Sequence, residues 1–169
     1  LIAQGHHVYI FTTTDPKAKH DDVENGIYRF ASIPFVSFSD RRIAVRGVFR
    51  AIKLAKKFQL DIVHNQTEFA LGVMGKTVAK HLHIPCLHTY HPMYQDYLHY
   101  IANGHILKPN DVARLAHLYL KNISGIIAPS DRVLDTLTSY HVESPIRVIP
   151  TGINLRVYSK RDSAEEIAN

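Results

Sequence analysis

Residues 61–91 read DIVHNQTEFALGVMGKTVAKHLHIPCLHTYH, and this stretch decides the fold. Asp61-Ile62-Val63-His64 is an apolar run of strand length, and Pro85 to Tyr90 is another. Phe69 to Leu82, between them, has the spacing of a helix. Strand, helix and strand in that order make a βαβ unit, and repeated units of this kind build a mostly parallel sheet.

The alternation continues on both sides. Upstream, Val8-Tyr9-Ile10-Phe11 is a compact strand. It follows a helix end at Leu1 to Gly5, where Gly5 stands in the position of a left-handed C-terminal glycine. Gly26 to Phe30 is a weaker strand; Gly125 to Ala128 and Ile146 to Ile149 complete the set. Further helices are expected over Arg41 to Phe58, Asp111 to Asn122 and Ser130 to Tyr140, with Asp40, Asn110 and Ser130 as N-caps. The fold class is therefore α/β, a Rossmann-like, mostly parallel sheet with helices on both faces.

Composition agrees. The 169 residues are 46% hydrophobic and 21% charged, the balance of a globular domain rather than a disordered chain. No apolar run approaches the roughly 20 residues of a membrane-spanning helix. Cys86 is the single cysteine, so no internal disulfide forms, which fits a reducing cytoplasm. The net charge of +5 favours anionic partners. The chain opens at Leu1 without an initiator Met, and a fragment is expected.

Sheets of this kind bind ligands at the carboxyl ends of their strands. The segments to inspect are Thr12 to Thr14, His64 to Glu68, His88 to His91, Ala128 to Ser130 and Pro150 to Asn154. His64-Asn65-Gln66-Thr67-Glu68 leads into a helix whose free N–H groups suit an oxygen-rich ligand. Thr67 reads equally as the helix cap, and Glu68 as an acid favourable in its first turn. In His88-Thr89-Tyr90-His91, alternation turns His88 and Tyr90 to one side and Thr89 and His91 to the other. A histidine in this place suits a sugar hydroxyl. His88 and His91 with Asp96 and His99 offer a metal reading, but no Cys pair or H-E-x-x-H pattern supports it, and no metal is assigned.

From Arg41 to Phe58 there are seven Lys or Arg residues and no acid. On a helix, Arg42, Arg46, Arg50, Lys53 and Lys57 share an arc of roughly 80°. Val45, Val48, Ile52, Ala55 and Phe58 fall on the opposite side. The plain reading is a surface helix with its apolar face on the sheet. One sign of charge suggests in addition an electrostatic contact with anionic lipid, about 1 kcal/mol for each basic residue near the surface.

The ordered set GHHVYIFT, DIVHNQTEFALG, IPCLHTYH, GIIAPS and VIPTGIN resembles the N-terminal domain of family-four retaining glycosyltransferases. HNQTEFALG together with HTYHPMYQDYLHYI looks most like the branch of bacterial 1,2-diacylglycerol 3-glucosyltransferases. The resemblance implies a B-type fold of two Rossmann-like domains facing a cleft, the first binding the acceptor and the second the nucleotide sugar. Residues 1–154 would be the first domain, lacking its first strand and glycine-rich loop. Residues 155–169 would begin a linker or form a frayed tail. The paired glutamates that grip the donor are not found among Glu24, Glu68, Glu143, Glu165 and Glu166, so this polypeptide alone is expected to be inactive.

The implied reaction moves a hexose, expected to be glucose from UDP-glucose, onto diacylglycerol with retention, the donor phosphate helping to take the proton. His91 matches the histidine close to the transferred sugar, which it would bind and orient. Thr67 and Glu68 match a cleft-lining loop, and Thr151 and Gly152 the crossing to the second domain. Thr89, Tyr90 and Ser130 join them as strand-end residues. No cofactor is expected on this domain. The implied partners are diacylglycerol, an anionic membrane surface and the missing C-terminal donor domain, at the cytoplasmic face of the cell membrane. The alternatives are another lipid acceptor such as phosphatidylinositol, a soluble sugar acceptor, a non-catalytic adaptor, or a basic nucleic-acid or nucleotide-binding module. The last lacks a P-loop, a G-x-G-x-x-G and an aromatic-interleaved basic strand, and no nucleic-acid partner is assigned.

Overall fold

A computed structural model describes residues 1–35, 38–44, 46–91 and 109–152. Its centre is the βαβ unit of residues 61–91: β5 (Val63–Asn65), α2 (Ala70–Leu82) and β6 (Cys86–Thr89). With β7 (Gly125–Ala128) and β8 (Ile146–Val148) these strands form a four-stranded parallel sheet in the order β5-β6-β7-β8. The connections run through α2, α3 (Pro109–Leu120) and α4 (Asp131–Ser139). Upstream, β1 (Ile10–Thr13) and β2 (Ile27–Phe30) form a second parallel pair. The fold is α/β, with parallel sheets flanked by helices.

Several local expectations hold for plain reasons. Gly5 closes a short 3₁₀ turn over Ile2–Gln4 at φ 88°, a conformation open to a residue without Cβ. Ser130 caps α4, its side chain accepting from the Val133 N–H at 3.4 Å. Asn110 lies inside α3 rather than ahead of it.

The segment from Arg41 to Phe58 is corrected. It is not one helix. Phe38–Ala44 is a strand, β4, pairing antiparallel with β3 (Ser32–Phe35), and only Val48–Lys57 is helical, as α1. Asp40 therefore lies in a strand rather than ahead of a helix, and Arg42 pairs with Pro34 in the β3–β4 register instead of lying on a helix face. Gly47 marks the break. Its φ of 124° is closed to ordinary side chains, and an added Cβ would sit 2.6 Å from Phe30 Cδ1. Ile33 stands opposite Ile43 in the backbone register of this hairpin, a long-range pairing that the helical spacing of the basic residues does not reveal.

Two apolar clusters hold the elements together. One joins Tyr28 and Phe30 of β2 to Ala51 and Ala55 of α1 and Met74 and Val78 of α2. Alanines on the buried side of α1 let it approach closely, and Tyr9 stacks on Phe58 at 4.0 Å between ring centres. The other joins Ile126 and Ala128 of β7 to Leu120 of α3, Val133 and Leu137 of α4, and Tyr90. Each large side chain buried this way contributes about 1.5–3 kcal/mol. The two clusters fix α2 and α3 against the sheet and so set the geometry at the ends of β5 and β6.

Candidate functional site at the ends of β5 and β6

Strand β5 ends at Asn65, and Asn65 is buried. Its Nδ2 donates to Gly72 O at 3.0 Å and to Tyr119 Oη at 3.1 Å. The Tyr119 hydroxyl in turn donates to Thr67 O at 3.2 Å. Residues 66–68 are thus pinned from below by one amide and one phenol. Burial pushes the Tyr119 hydroxyl well above the usual phenol range, so it stays protonated and keeps its donor.

Lys76 of α2 completes this support. Its Nζ donates to Tyr119 O and, at 3.0 Å, to Lys121 O. It also lies 5.0 Å from the Tyr119 ring centre. An ammonium on the last carbonyls of α3 meets the negative end of that helix. Burial holds the Lys76 pKa below that of an ordinary lysine.

Above the support, the polar side chains fall into two sets, as period-two alternation directs. In one, His91 Nε2 lies 2.8 Å from Gln66 Oε1, Gln66 Nε2 lies 3.0 Å from His64 Nε2, and His64 Nε2 lies 2.8 Å from Thr89 Oγ1. With this amide orientation His91 donates to Gln66, and Gln66 donates to an unprotonated His64 nitrogen. Burial first, then the nearby His88 and His91, hold the His64 pKa below the usual histidine value. A neutral His64 accepting from Gln66 is consistent with that direction. In the other set, the fully buried His88 sets Nε2 3.0 Å from Glu68 Oε1. Its ring packs edge-on to Tyr119 at 5.1 Å and to Tyr90 at 6.2 Å.

The site residues expected from sequence divide accordingly. His91 is exposed and held by Gln66, and Thr89 is buried and bonded to His64. Thr67 Oγ1 accepts from the Phe69 N–H at 3.3 Å, one residue before α2, while the N-cap itself is Phe69 without a side-chain bond. Glu68 precedes the helix and engages His88 rather than the first turn. Tyr90 is 1% exposed and belongs to the apolar cluster around Leu120, its hydroxyl pKa raised by burial, so its ring does not line an open cleft. Ser130 spends its side chain capping α4. Thr151 and Gly152 are exposed at the end of the described chain; Ile153 and Asn154 lie outside the described residues, as do Asp96 and His99.

Gln66 and His64 were not singled out from sequence as site residues. Gln66 lies in a loop, where nothing in the spacing says which way its side chain turns; His64 shares the alternation of Thr89 and could have been found from it. A cavity of about 220 Å³ lined by His117, Lys121, Asn122, Val142, Glu143 and Ser144 involves none of these groups.

Among the basic residues, Arg46 is exposed ahead of α1, while Arg50, Lys53 and Lys57 lie on it. Arg50 is not simply solvated. It pairs with Asp21, donates to Arg29 O at 2.7 Å, and lies 5.1 Å from the Phe30 ring centre. Phe49 of α1, absent from the sequence expectation, is 85% exposed. Among the described residues no helix is long and apolar enough to cross a membrane.

Known proteins resemble this chain over almost its whole length. The profile of Glycosyltransferase Family 4 matches residues 1–157. The chain is 46% identical over 167 residues to the alpha-monoglucosyldiacylglycerol synthase of Streptococcus pneumoniae (strain ATCC BAA-255 / R6), covering 98% of this chain and 37% of that protein. It is 34% identical over 173 residues to the alpha-monoglucosyldiacylglycerol synthase of Acholeplasma laidlawii, covering 98% of this chain and 43% of that one. The chain thus spans under half the length of these relatives. In three dimensions it resembles Anabaena Alr3699/HepE, solved in complex with UDP and glucose, with a TM-score of 0.61 over 96% of this chain and 49% of the other. At 13% identity that likeness speaks for the fold alone.

Proposed function

The chain belongs to glycosyltransferase family 4, and from that premise we propose that it is the acceptor-side domain of an enzyme moving glucose from UDP-glucose onto diacylglycerol, with retention. The observation that carries this is the line His91–Gln66–His64–Thr89 at the carboxyl ends of β5 and β6, where a parallel sheet receives its ligands. The names of the relatives supply the sugar and the acceptor class.

In this reading His91 binds and orients the transferred sugar. Its ring is held by Gln66 through Nε2–H, so its orientation is set before a ligand arrives and Nδ1 is left to face a sugar hydroxyl; preorganised polar groups of this kind favour the transition state. His64 stays neutral and keeps the Gln66 amide from turning over. Glu68, bonded to His88, fixes the loop on which Gln66 stands. The donor phosphate, held by a second domain, helps take the acceptor's proton as the sugar is transferred. Thr67, Glu68, Thr151 and Gly152 remain the proposed cleft wall, with Thr89, Tyr90 and Ser130 behind it.

The basic residues around α1 are read as an electrostatic dock on an anionic membrane, at the cytoplasmic face. Phe49, exposed on the same helix as Lys53 and Lys57, adds an apolar contact at the interface. Arg42 lies on β4 and leaves this set as a helix-face residue; Arg46, Arg50, Lys53 and Lys57 remain, Arg50 also serving as a packing residue through Asp21.

The full-length protein, incubated with UDP-glucose and diacylglycerol in mixed micelles, is expected to form a glucosyl-diacylglycerol. His91→Ala is expected to lower kcat by about 10²-fold or more with the fold retained, the range for losing a preorganised hydrogen-bonding group. Product on a soluble sugar but none on diacylglycerol would remove the lipid acceptor. Full activity in His91→Ala would remove the histidine's role.

A further inference from the structure

The ends of β1 and β2 carry a second polar site, on different strands from the His91 line. Thr14, Arg29, Phe30, Arg46, Gly47 and Arg50 line a cavity of about 410 Å³. Three guanidinium groups surround it and one acid stands close by. Asp21 pairs with Arg50, and its other oxygen accepts from the Arg29 N–H at 2.8 Å. That leaves Arg29 and Arg46, neither of which forms an ion pair among the described residues. Arg29 is held in place: Nη1 donates to Thr13 O at 3.4 Å, while Nε is buried and has no acceptor among the described residues. A buried N–H of a charged group left without an acceptor is costly, so an acceptor is called for here. Helix α1 starts at the same place, from Gly47, with no side-chain cap and no acid in its first turn.

We propose that this cavity binds a phosphate group, carried by a soluble phosphate ester or by a lipid headgroup. Two uncompensated guanidinium charges match the roughly −1.5 to −2 of a phosphate monoester at pH 7. The planar fork of an arginine fits phosphate oxygens in pairs, and both Arg29 and Arg46 line the cavity. The open N–H groups at the start of α1 add donors on the same side. Gly47 leaves this approach clear; a side chain there would meet Phe30. The site does not depend on glucosyl transfer, since it can be read without donor or acceptor.

The test uses the full-length protein at fixed ionic strength. Calorimetric titration compares sn-glycerol 3-phosphate with glycerol. Flotation compares phosphatidylcholine vesicles containing phosphatidic acid with vesicles carrying equal charge as oleic acid. Binding of glycerol 3-phosphate but not glycerol, or preference for phosphatidic acid over oleic acid, supports the site when Arg46→Gln and Arg29→Lys each weaken it by about tenfold or more. Arg29→Lys keeps the charge and loses the fork, so it separates recognition from general attraction. Lys53→Gln is expected to leave the soluble affinity unchanged while weakening vesicle binding generally. Binding only in the soluble arm assigns the phosphate to a soluble ester; preference only in the vesicle arm assigns it to a lipid. No soluble binding together with equal flotation on both vesicles overturns the proposal. So does phosphate binding that both arginine variants leave intact while circular dichroism shows them folded.

Discussion

Replacing Gly72 by alanine puts a Cβ into a space that the site already uses. That carbon would lie 2.5 Å from Tyr119 Oη and 2.9 Å from the Thr67 carbonyl carbon, with the Thr67 oxygen closer still. Two of the three obstacles are backbone, so rotating a side chain does not relieve them. Alanine gains about 1 kcal/mol of helix propensity over glycine, whereas overpacking of this kind costs about 1–3 kcal/mol and sometimes more. The tyrosine can swing aside only by giving up its bonds to Thr67 O and Asn65 Nδ2. A clash with the Thr67 backbone carbonyl belongs at the upper end of that range, so the net expectation is a loss of about 2 kcal/mol, or a Tm lower by about 4–8 °C for a domain of this size. The larger effect falls on the loop. Gln66 and Glu68 flank Thr67 and carry the bonds to His91 and His88, so moving Thr67 by an ångström misplaces both. A misplacement of that size can lower a rate by about 10²-fold. Thermal unfolding followed by circular dichroism, paired with glucosyl transfer assayed well below the variant's Tm, measures the two effects separately. Gly125→Ala is the control, because its Cβ would meet only Leu87 Cδ2, at 3.1 Å, the end of a flexible side chain. A Gly72→Ala protein with unchanged Tm and unchanged transfer would refute the reasoning.

Two further expectations rest on single side chains. His64 is held below its ordinary pKa, so the unfolded state binds more protons than the native one as pH falls through about 6.5, the unfolded value. Stability is therefore lost on acidification below that point until the native pKa is passed; denaturant unfolding from pH 8 to 5 is expected to show a shallower decline in His64→Gln than in the wild type. Cys86 is buried and its thiol pKa is raised by burial, with Lys76 working the other way. Iodoacetamide at pH 8 is expected to label it slowly in the native protein and fully in denaturant, and rapid native labelling would contradict the packing around β6.

The difference between what sequence revealed and what it did not follows the range of the forces involved. The βαβ core was legible because each strand is short and apolar, each helix is periodic, and the connections are local. Ser130 and Gly5 were legible because a cap and a left-handed turn are decided within a few residues. The stretch from Arg41 to Phe58 misled because its charges fit a helical period, while the deciding facts are long-range. The backbone of residue 43 pairs with that of Ile33 in a hairpin, and Phe30 occupies the place a side chain at position 47 would need. At the site, residue types and alternation correctly brought Thr89 to the same side as His91. They did not reveal that Tyr90 is committed to the core by residues from α3 and α4, or that Gln66 is the member joining two histidines. The loop that carries Gln66 is held by Tyr119, which reaches Thr67 O only when α2 and α3 pack, and Lys76 of α2 in turn holds the end of α3. The support is thus more distant in sequence than the groups it supports. A change at Lys76 or Tyr119 should then weaken the site without touching any residue that faces a ligand, and a purely local view of residues 64–68 and 88–91 would not anticipate it.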